Sequence, residues 1–208
     1  MPCTVVCISR PDGAGGATIG RVVADRLGFD YVDEAIVSSA AEKGGIAPSD
    51  VAEAEKRKSM LARLVREMGR TAGPDGYGFA GLSSPYLEGV TPEAVRSLIR
   101  DTIEETADQG DVVIVSHAAS YALSARPNVL RVLVTASPET RARRLSKTRA
   151  IPLEDARKTI KDADSARADY LRRFYGVEAE LPTHYDIVVN TDTLSVERAA
   201  DLVAQAAS

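Results

Sequence analysis

Apolar and polar positions fall in blocks along this chain, and the length and period of each block select its element. Thr4–Ile8, "TVVCI", is a short β-branched run that meets a glycine-rich stretch at Ser9-Arg10, and Ile19–Leu27 then carries apolar residues at helical spacing. That order predicts strand, glycine loop, helix. Gly28 stands where a helix C-cap glycine belongs, and "FDYVD" returns as a short strand ending at Asp33. Glu34–Glu42 resumes a helix, and residues 48–68 place Val51, Leu61, Leu64, Val65 and Met68 at the spacings of one or two amphipathic helices.

Residues 69–90 are rich in Gly, Pro and Ser and form a loop of about twenty residues, longer than compact domains usually carry. It is either a mobile substrate-site segment or disordered, and Tyr77, Phe79 and Tyr86 favour a loop that packs. Thr91-Pro92-Glu93 combines an N-cap, an N1 proline and a first-turn acid, launching a helix through Asp108 with Gly110 as its stop. "DVVIVS" and "VLRVLVTAS" are apolar runs of strand length, the first continuous enough to be covered on both faces. Ser137-Pro138-Glu139 starts another helix, Leu153–Tyr175 spells a long one ending at Gly176, "YDIVVNT" supplies the last strand and Val196–Ala206 the last helix. Five strands alternating with helices predict an α/β fold with a five-stranded parallel sheet flanked by helices in three layers.

Composition narrows the function classes. At 208 residues, 44% of them hydrophobic, the chain suffices for one domain with a full core, and we read residues 1–208 as a single unit. A net charge of −4 is not that of a polycation, so duplex nucleic acid is not an expected partner. No run of about 18 apolar residues is present to span a bilayer, and the N-terminal apolar run is too short for a secretory signal, so a cytoplasmic protein without a membrane partner is expected. Cys3 and Cys7, four apart on one strand, should share a face as free thiols, and His117 and His184 lie far from both, so no zinc spacing appears.

The candidate chemistry sits in "RPDGAGGATIG", residues 10–20. Gly13, Gly15 and Gly16, placed between a strand and a helix, let successive backbone N–H groups converge on an anion at the helix N-terminus. A full phosphate loop also carries a lysine for the β/γ-phosphates and a Ser or Thr for Mg²⁺, but the lysine position holds Gly16. Another cation must substitute. Arg10 is the local candidate; Arg21 is a second, although a solvated helix surface explains it better.

A second feature is Arg167, in the middle of the stripe formed by Ala156, Ile160, Ala163, Tyr170, Leu171 and Phe174. A guanidinium left dry and unpaired is costly, so it should meet a carboxylate or a ligand phosphate, with Asp164 one turn earlier as partner or orienter. The alternative is an Asp164–Arg167 pair that reaches out to solvent.

The glycine stretch resembles the GxxGxGKGT loop of nucleoside monophosphate kinases: Gly13, Gly15 and Thr18 match, Arg10 replaces the first glycine and Gly16 the lysine. More closely, "ISRPDGAGGATIGRVVADRLGFDYVDEAIV" resembles the opening of the cytidylate kinase-like family, whose members often carry a lysine-free loop of this type. The resemblance resumes in residues 111–145, "DADSARADYLRRFYGV" and "YDIVVNTDTLSVERAADLV", leaving residues 44–110 only loosely matched.

This likeness implies a P-loop NTPase-type fold with a helical acceptor-side insertion over residues 34–110 and a lid over 146–176. It implies ATP with Mg²⁺ in the loop formed by Arg10, Asp12, Gly13, Ala14, Gly15, Gly16, Ala17 and Thr18, with Thr18 near the metal. Asp164 and Arg167 match the D-x-x-R of the family's R-x-x-x-D-x-x-R motif, which contacts the nucleoside monophosphate, whereas the first arginine's position is Ile160. Asp33 falls in the acceptor neighbourhood, as a substrate or magnesium–water contact or else as a helix N-cap.

"VSHAAS" stands where cytidylate kinases carry GRD, so Ser116, His117 and Ala118 depart from the pattern; His117 is a ligand contact or a packed core residue. The basic run "RARRLSKTRA" is either a solvated helix face or the stretch that sends arginines to the transferring phosphate, with Arg141, Arg144 and Arg149 as candidates and Arg149 chosen for lid closure. Two functions are therefore expected to compete. One is a kinase that moves the ATP γ-phosphoryl group to a nucleoside monophosphate or related acceptor, with Arg10, Arg149 and Arg167 as its catalytic cations. The other is an inactive nucleotide-binding module acting as sensor or partner; assembly into a homo-oligomer is left open.

Overall fold

In this computed structural model, residues 3–33, 92–115 and 118–208 are described. Five strands among them form one parallel sheet in the order β2-β3-β1-β4-β5: β1 is Val5–Ser9, β2 Asp30–Val32, β3 Val112–Ile114, β4 Val129–Thr135 and β5 Ile187–Asn190. The central strand pairs on one side with β3, Val5 opposite Val112, and on the other with β4, Val5 opposite Val129. Chain order therefore reverses at β1, which opens a crevice beyond its C-terminal end.

Both faces of β1 are dry, which is why its sequence is a continuous apolar run rather than an alternating one. Val6 and Ile8 point into a core with Ile19 and Val23 of helix α1 (Gly16–Leu27) and Ala199 and Val203 of the final helix. Val5 and Cys7 point the other way, onto Ile99 and Ile103 of α2 (Pro92–Gln109) and Leu123 just after the short α3 (Ala119–Ala122). Helix, sheet and helix make the three expected layers. A separate small core of Ala142, Leu145, Ala156 and Ile160 joins α4 (Pro138–Arg149) to α5 (Leu153–Tyr175).

The termini follow local chemistry. Ser137 caps α4 by accepting the Thr140 N–H at 3.3 Å, with Pro138 next in line, and Ser195 caps α6 (Val196–Ala207) through the Arg198 N–H at 3.3 Å. Gly28 and Gly176 end α1 and α5 in the left-handed region.

Three expectations are corrected. Helix α1 begins at Gly16 rather than Ile19, so the loop's last glycine already belongs to the helix. β2 stops at Val32, and Asp33 is the bend that follows it. Cys3 precedes β1, its N–H donating to the Ala207 carbonyl, and packs with the core on the α1 side while Cys7 packs on the opposite side. Both thiols are free, and burial pushes Cys7 up to about 12, which leaves it unreactive. The helices expected at 34–42 and 48–68, the loop at 69–90, the Thr91 cap, Ser116 and His117 lie outside the described residues. Among those described, no helix is long and apolar enough to cross a membrane.

Candidate functional site: an open phosphate loop and two sets of arginines

The loop between β1 and α1 lies at the reversal point of the sheet. Its first bend closes through the Ala14 N–H donating to the Pro11 carbonyl at 3.2 Å. Gly13 follows with φ +78, and a Cβ there would stand 2.8 Å from the Arg141 carbonyl oxygen, so only glycine fits. Gly15 is the N-cap of α1; no side chain caps the helix and no acidic residue occupies its first turn. The leading amides of a helix have no partner within it, so this end offers donors and the positive pole of the helix dipole to whatever lies in front of it.

What lies in front is a cavity of about 580 Å³. Residues 13–19 form one wall, Arg144, Thr148 and Arg149 of α4 a second, and Leu194 and Val196, beyond β5, a third. Thr18 is exposed in the first turn of α1 and faces this space, where its hydroxyl could help hold a Mg²⁺. Among the described residues no group of three or more His, Cys, Asp or Glu stands close enough to hold a metal ion.

The arginines around the loop divide into two sets. Arg144 is structural: it donates to the Thr191 Oγ1 at 2.9 Å and to the Gly13 and Ala14 carbonyls at 3.4 and 3.5 Å, while Thr191 Oγ1 donates to the Ala14 carbonyl at 2.8 Å. Two peptide planes of the loop are thereby fixed against the end of β5. Arg141 is buried, forks onto Asp164 at 2.8 and 2.6 Å, and also donates to the Asp12 carbonyl at 3.3 Å. Arg167 donates to Glu180 at 3.0 and 2.6 Å and to Ser9 Oγ at 3.2 Å, and the Tyr185 hydroxyl donates to the same carboxylate. Burial works against the Arg167 charge, yet Glu180 outweighs it and leaves the guanidinium above its usual value. Burial would likewise raise the Glu180 carboxyl, but the hydrogen bonds and charge of Arg167 hold it below the ordinary 4.5.

The expected pairing of Asp164 with Arg167 is therefore corrected. Three residues apart on one helix they can be neighbours, but the rigid fork of Arg141 presents two donors to Asp164 from α4, and Glu180 reaches Arg167 from the segment after α5. Arg141 carried a sequence signal, since it precedes the core residue Leu145 by four and so shares its buried face. Glu180 carried none, because it lies in an irregular stretch without a period.

The second set makes no such forked hydrogen bonds among the described residues. Arg149 is exposed at the cavity rim and makes no ion pair among the described residues. Arg10 sits at the mouth of the loop with its Nε buried and unpartnered among the described residues, while its Nη1 and Nη2 make long ion pairs with Asp12 at 3.6 Å and Asp33 at 4.0 Å. Asp33 accepts the Tyr31 hydroxyl at 3.0 Å; burial first, then this carboxylate, pushes Tyr31 up to about 12. Arg21 stacks its guanidinium over the Tyr31 ring, 4.8 Å from the centroid, on the helix surface. The structure thus brings Arg10, residues 12–18, Asp33, Arg149, Asp164 and Arg167 around one loop, while His117 lies outside the described residues.

The profile of the cytidylate kinase-like family matches residues 5–193. The chain belongs to the cytidylate kinase-like family. Among curated relatives, the cytidylate kinases of Ignicoccus hospitalis and Aeropyrum pernix are each 26% identical to it, over 96% of both chains. Solved structures share the fold at lower identity: an uncharacterized protein from Eubacterium ventriosum (TM-score 0.69, 15% identity, 98% and 97% coverage) and the shikimate kinase of Bacteroides thetaiotaomicron (TM-score 0.52, 16% identity, 98% and 97% coverage). The five-stranded parallel sheet with its glycine loop is accordingly the P-loop fold of nucleotide-binding kinases.

Proposed function

We propose that this family member is an ATP-dependent phosphotransferase that moves the γ-phosphoryl group to a nucleoside monophosphate or a closely related small acceptor. The observation that carries the reading is the uncapped N-terminus of α1 opening onto a cavity of about 580 Å³ lined by Arg10 and Arg149. Phosphoryl transfer asks little covalent chemistry of a protein; alignment and positive charge on the transferring group suffice.

In this reading the amides of residues 13–18 cradle the polyphosphate and Arg10 supplies the charge that a loop lysine would bring. The Thr18 hydroxyl would help hold Mg²⁺, which would supply positive charge to the donor phosphates. Arg149 closes from the lid over residues 146–176 onto the phosphoryl group. On the acceptor side, served by the insertion over residues 34–110, Arg167 presents its remaining donors, and Asp33, His117 and Asp164 shape the pocket. ATP and nucleoside monophosphates are cytoplasmic pools, and we place the reaction there.

A second reading is a nucleotide-binding module without turnover. It is favoured by one observation: Asp164 and Arg167, the motif residues that would meet the acceptor, already hold Arg141 and Glu180. Calorimetric titration with Mg–ATP followed by turnover assays on CMP, dCMP and UMP separates the two. Binding with turnover on at least one acceptor supports the kinase, binding without turnover on any supports the module, and no binding removes both.

A further inference from the structure

Gly16 occupies the lysine position of related phosphate loops, and the backbone gives no reason for a glycine there. Its φ is not among the positive values, unlike those of Gly13 and Gly15, so any L-residue could adopt it. The reason is a neighbour: a Cβ built on Gly16 would stand 2.7 Å from the Cβ of Arg10, 2.8 Å from its Cδ and 3.2 Å from its Cγ. The whole aliphatic stem of Arg10 therefore lies across the bare face of residue 16. The contact includes the Arg10 Cβ, which cannot swing away without moving the strand end.

The head of the same arginine is poised rather than consumed. Its Nε is buried and has no hydrogen-bond partner among the described residues, while Nη1 and Nη2 make only long ion pairs, at 3.6 Å to Asp12 and 4.0 Å to Asp33. Arg10 also lines the cavity that the loop opens onto. The Arg10 side chain is 26% exposed, so its loosely paired end can exchange these long contacts for a closer anion.

We propose that Arg10 and Gly16 are one exchanged pair: the missing side chain at residue 16 is the groove for the Arg10 stem, and the arginine delivers from the strand end the charge that a lysine would deliver from the helix. This rests on the reading of the loop as a polyphosphate site. One permanent charge replaces another, but a guanidinium brings a flat fork of donors suited to two phosphate oxygens where an ammonium is a point charge. Restoring the usual lysine to this loop is therefore harmful, because it evicts the residue that has taken over its work.

The test is a double-mutant cycle on Mg–ATP affinity by calorimetry, with melting temperature recorded for each variant. Arg10→Gly is expected to weaken binding about 10- to 100-fold, the range for losing one charge-assisted contact. Gly16→Lys alone is expected to weaken it as well and to lower the melting temperature. The double variant Arg10→Gly/Gly16→Lys, which has the layout of a lysine-bearing loop, should bind more tightly than either single variant. Gly16→Ala isolates the steric half: it should lower the melting temperature when Arg10 is present and leave it unchanged or raised in the Arg10→Gly background. Losses that add in the double variant, or an Arg10→Gly protein that binds as the wild type does, overturn the exchange. A wild-type protein that binds no Mg–ATP removes the polyphosphate reading and with it the charge role of Arg10, whereas a failed cycle on a wild type that binds removes the exchange alone.

Discussion

Arg141 and Arg167 on one side of the loop, and Arg10 and Arg149 on the other, are the same residue type set to opposite tasks. Arg141 and Arg167 each have a carboxylate in their fork, Asp164 and Glu180, and each also touches the loop backbone or its preceding serine. Arg10 and Arg149 line the cavity, Arg10 with only long ion pairs to Asp12 and Asp33 and Arg149 with no ion pair among the described residues. Paired guanidinium groups fix where α4 and α5 stand against the loop; those without such a fork define where an anion is wanted. A basic residue near a phosphate loop is thus informative only once its partner is known.

The contrast is broken most forcefully at Arg141. Arg141→Ala leaves Asp164 and the Asp12 carbonyl without their donor, and should cost about 2–3 kcal/mol in urea unfolding, below the roughly 3–5 kcal/mol of a fully buried pair because Asp164 can rehydrate. An unchanged unfolding midpoint would mean that the fork holds nothing together.

Glu180→Gln comes next, with an expected loss of about 2 kcal/mol from the charge-assisted bonds to Arg167. Its pH signature has a definite sign. Because the folded carboxyl lies below the ordinary 4.5, the stability it contributes is fully present above that value and drains away as the pH falls beneath it. Unfolding curves of wild type and Glu180→Gln should therefore lie apart at neutral pH and converge in acid, and a gap of constant size would refute the assignment.

Arg149→Ala should behave in the opposite manner to both. We expect its melting temperature to stay within a degree or so of wild type, as usual for an exposed site, while turnover falls about tenfold for one lost contact to the transferring group. A change in stability with turnover intact would move Arg149 into the scaffold set. The smallest effect is expected at Thr191→Val, which loosens Arg144 and the Ala14 carbonyl and should cost about 1 kcal/mol, read in the same urea experiment.

The sheet was legible because its inner strands β1 and β3 are buried on both faces and so spell unbroken apolar runs, and the helices because Ser137-Pro138, Gly28 and Gly176 mark their ends with local chemistry. The glycine loop was legible for the same reason, since Gly13 and Gly15 answer to backbone geometry. Cys3 misled because period-two reasoning holds only within a strand, and β1 starts two residues later. The partners of Asp164 and Arg167 were not legible: residues 23 and 13 positions away, on other segments, supply them, and no period relates such positions. Gly16 is the instructive case, since its absence of side chain reads as a loss in the sequence and as a contact in the structure.

The central claim is that the open amides at the start of α1 hold a polyphosphate without a loop lysine. Amide NMR of the labelled protein during titration with Mg–ATP tests it directly. The account predicts that Gly13, Gly15, Gly16, Ala17 and Thr18 shift together and saturably, with the Arg10 side-chain Nε–H resonance moving at the same midpoint. Saturating Mg–ATP that leaves these resonances in place would contradict it.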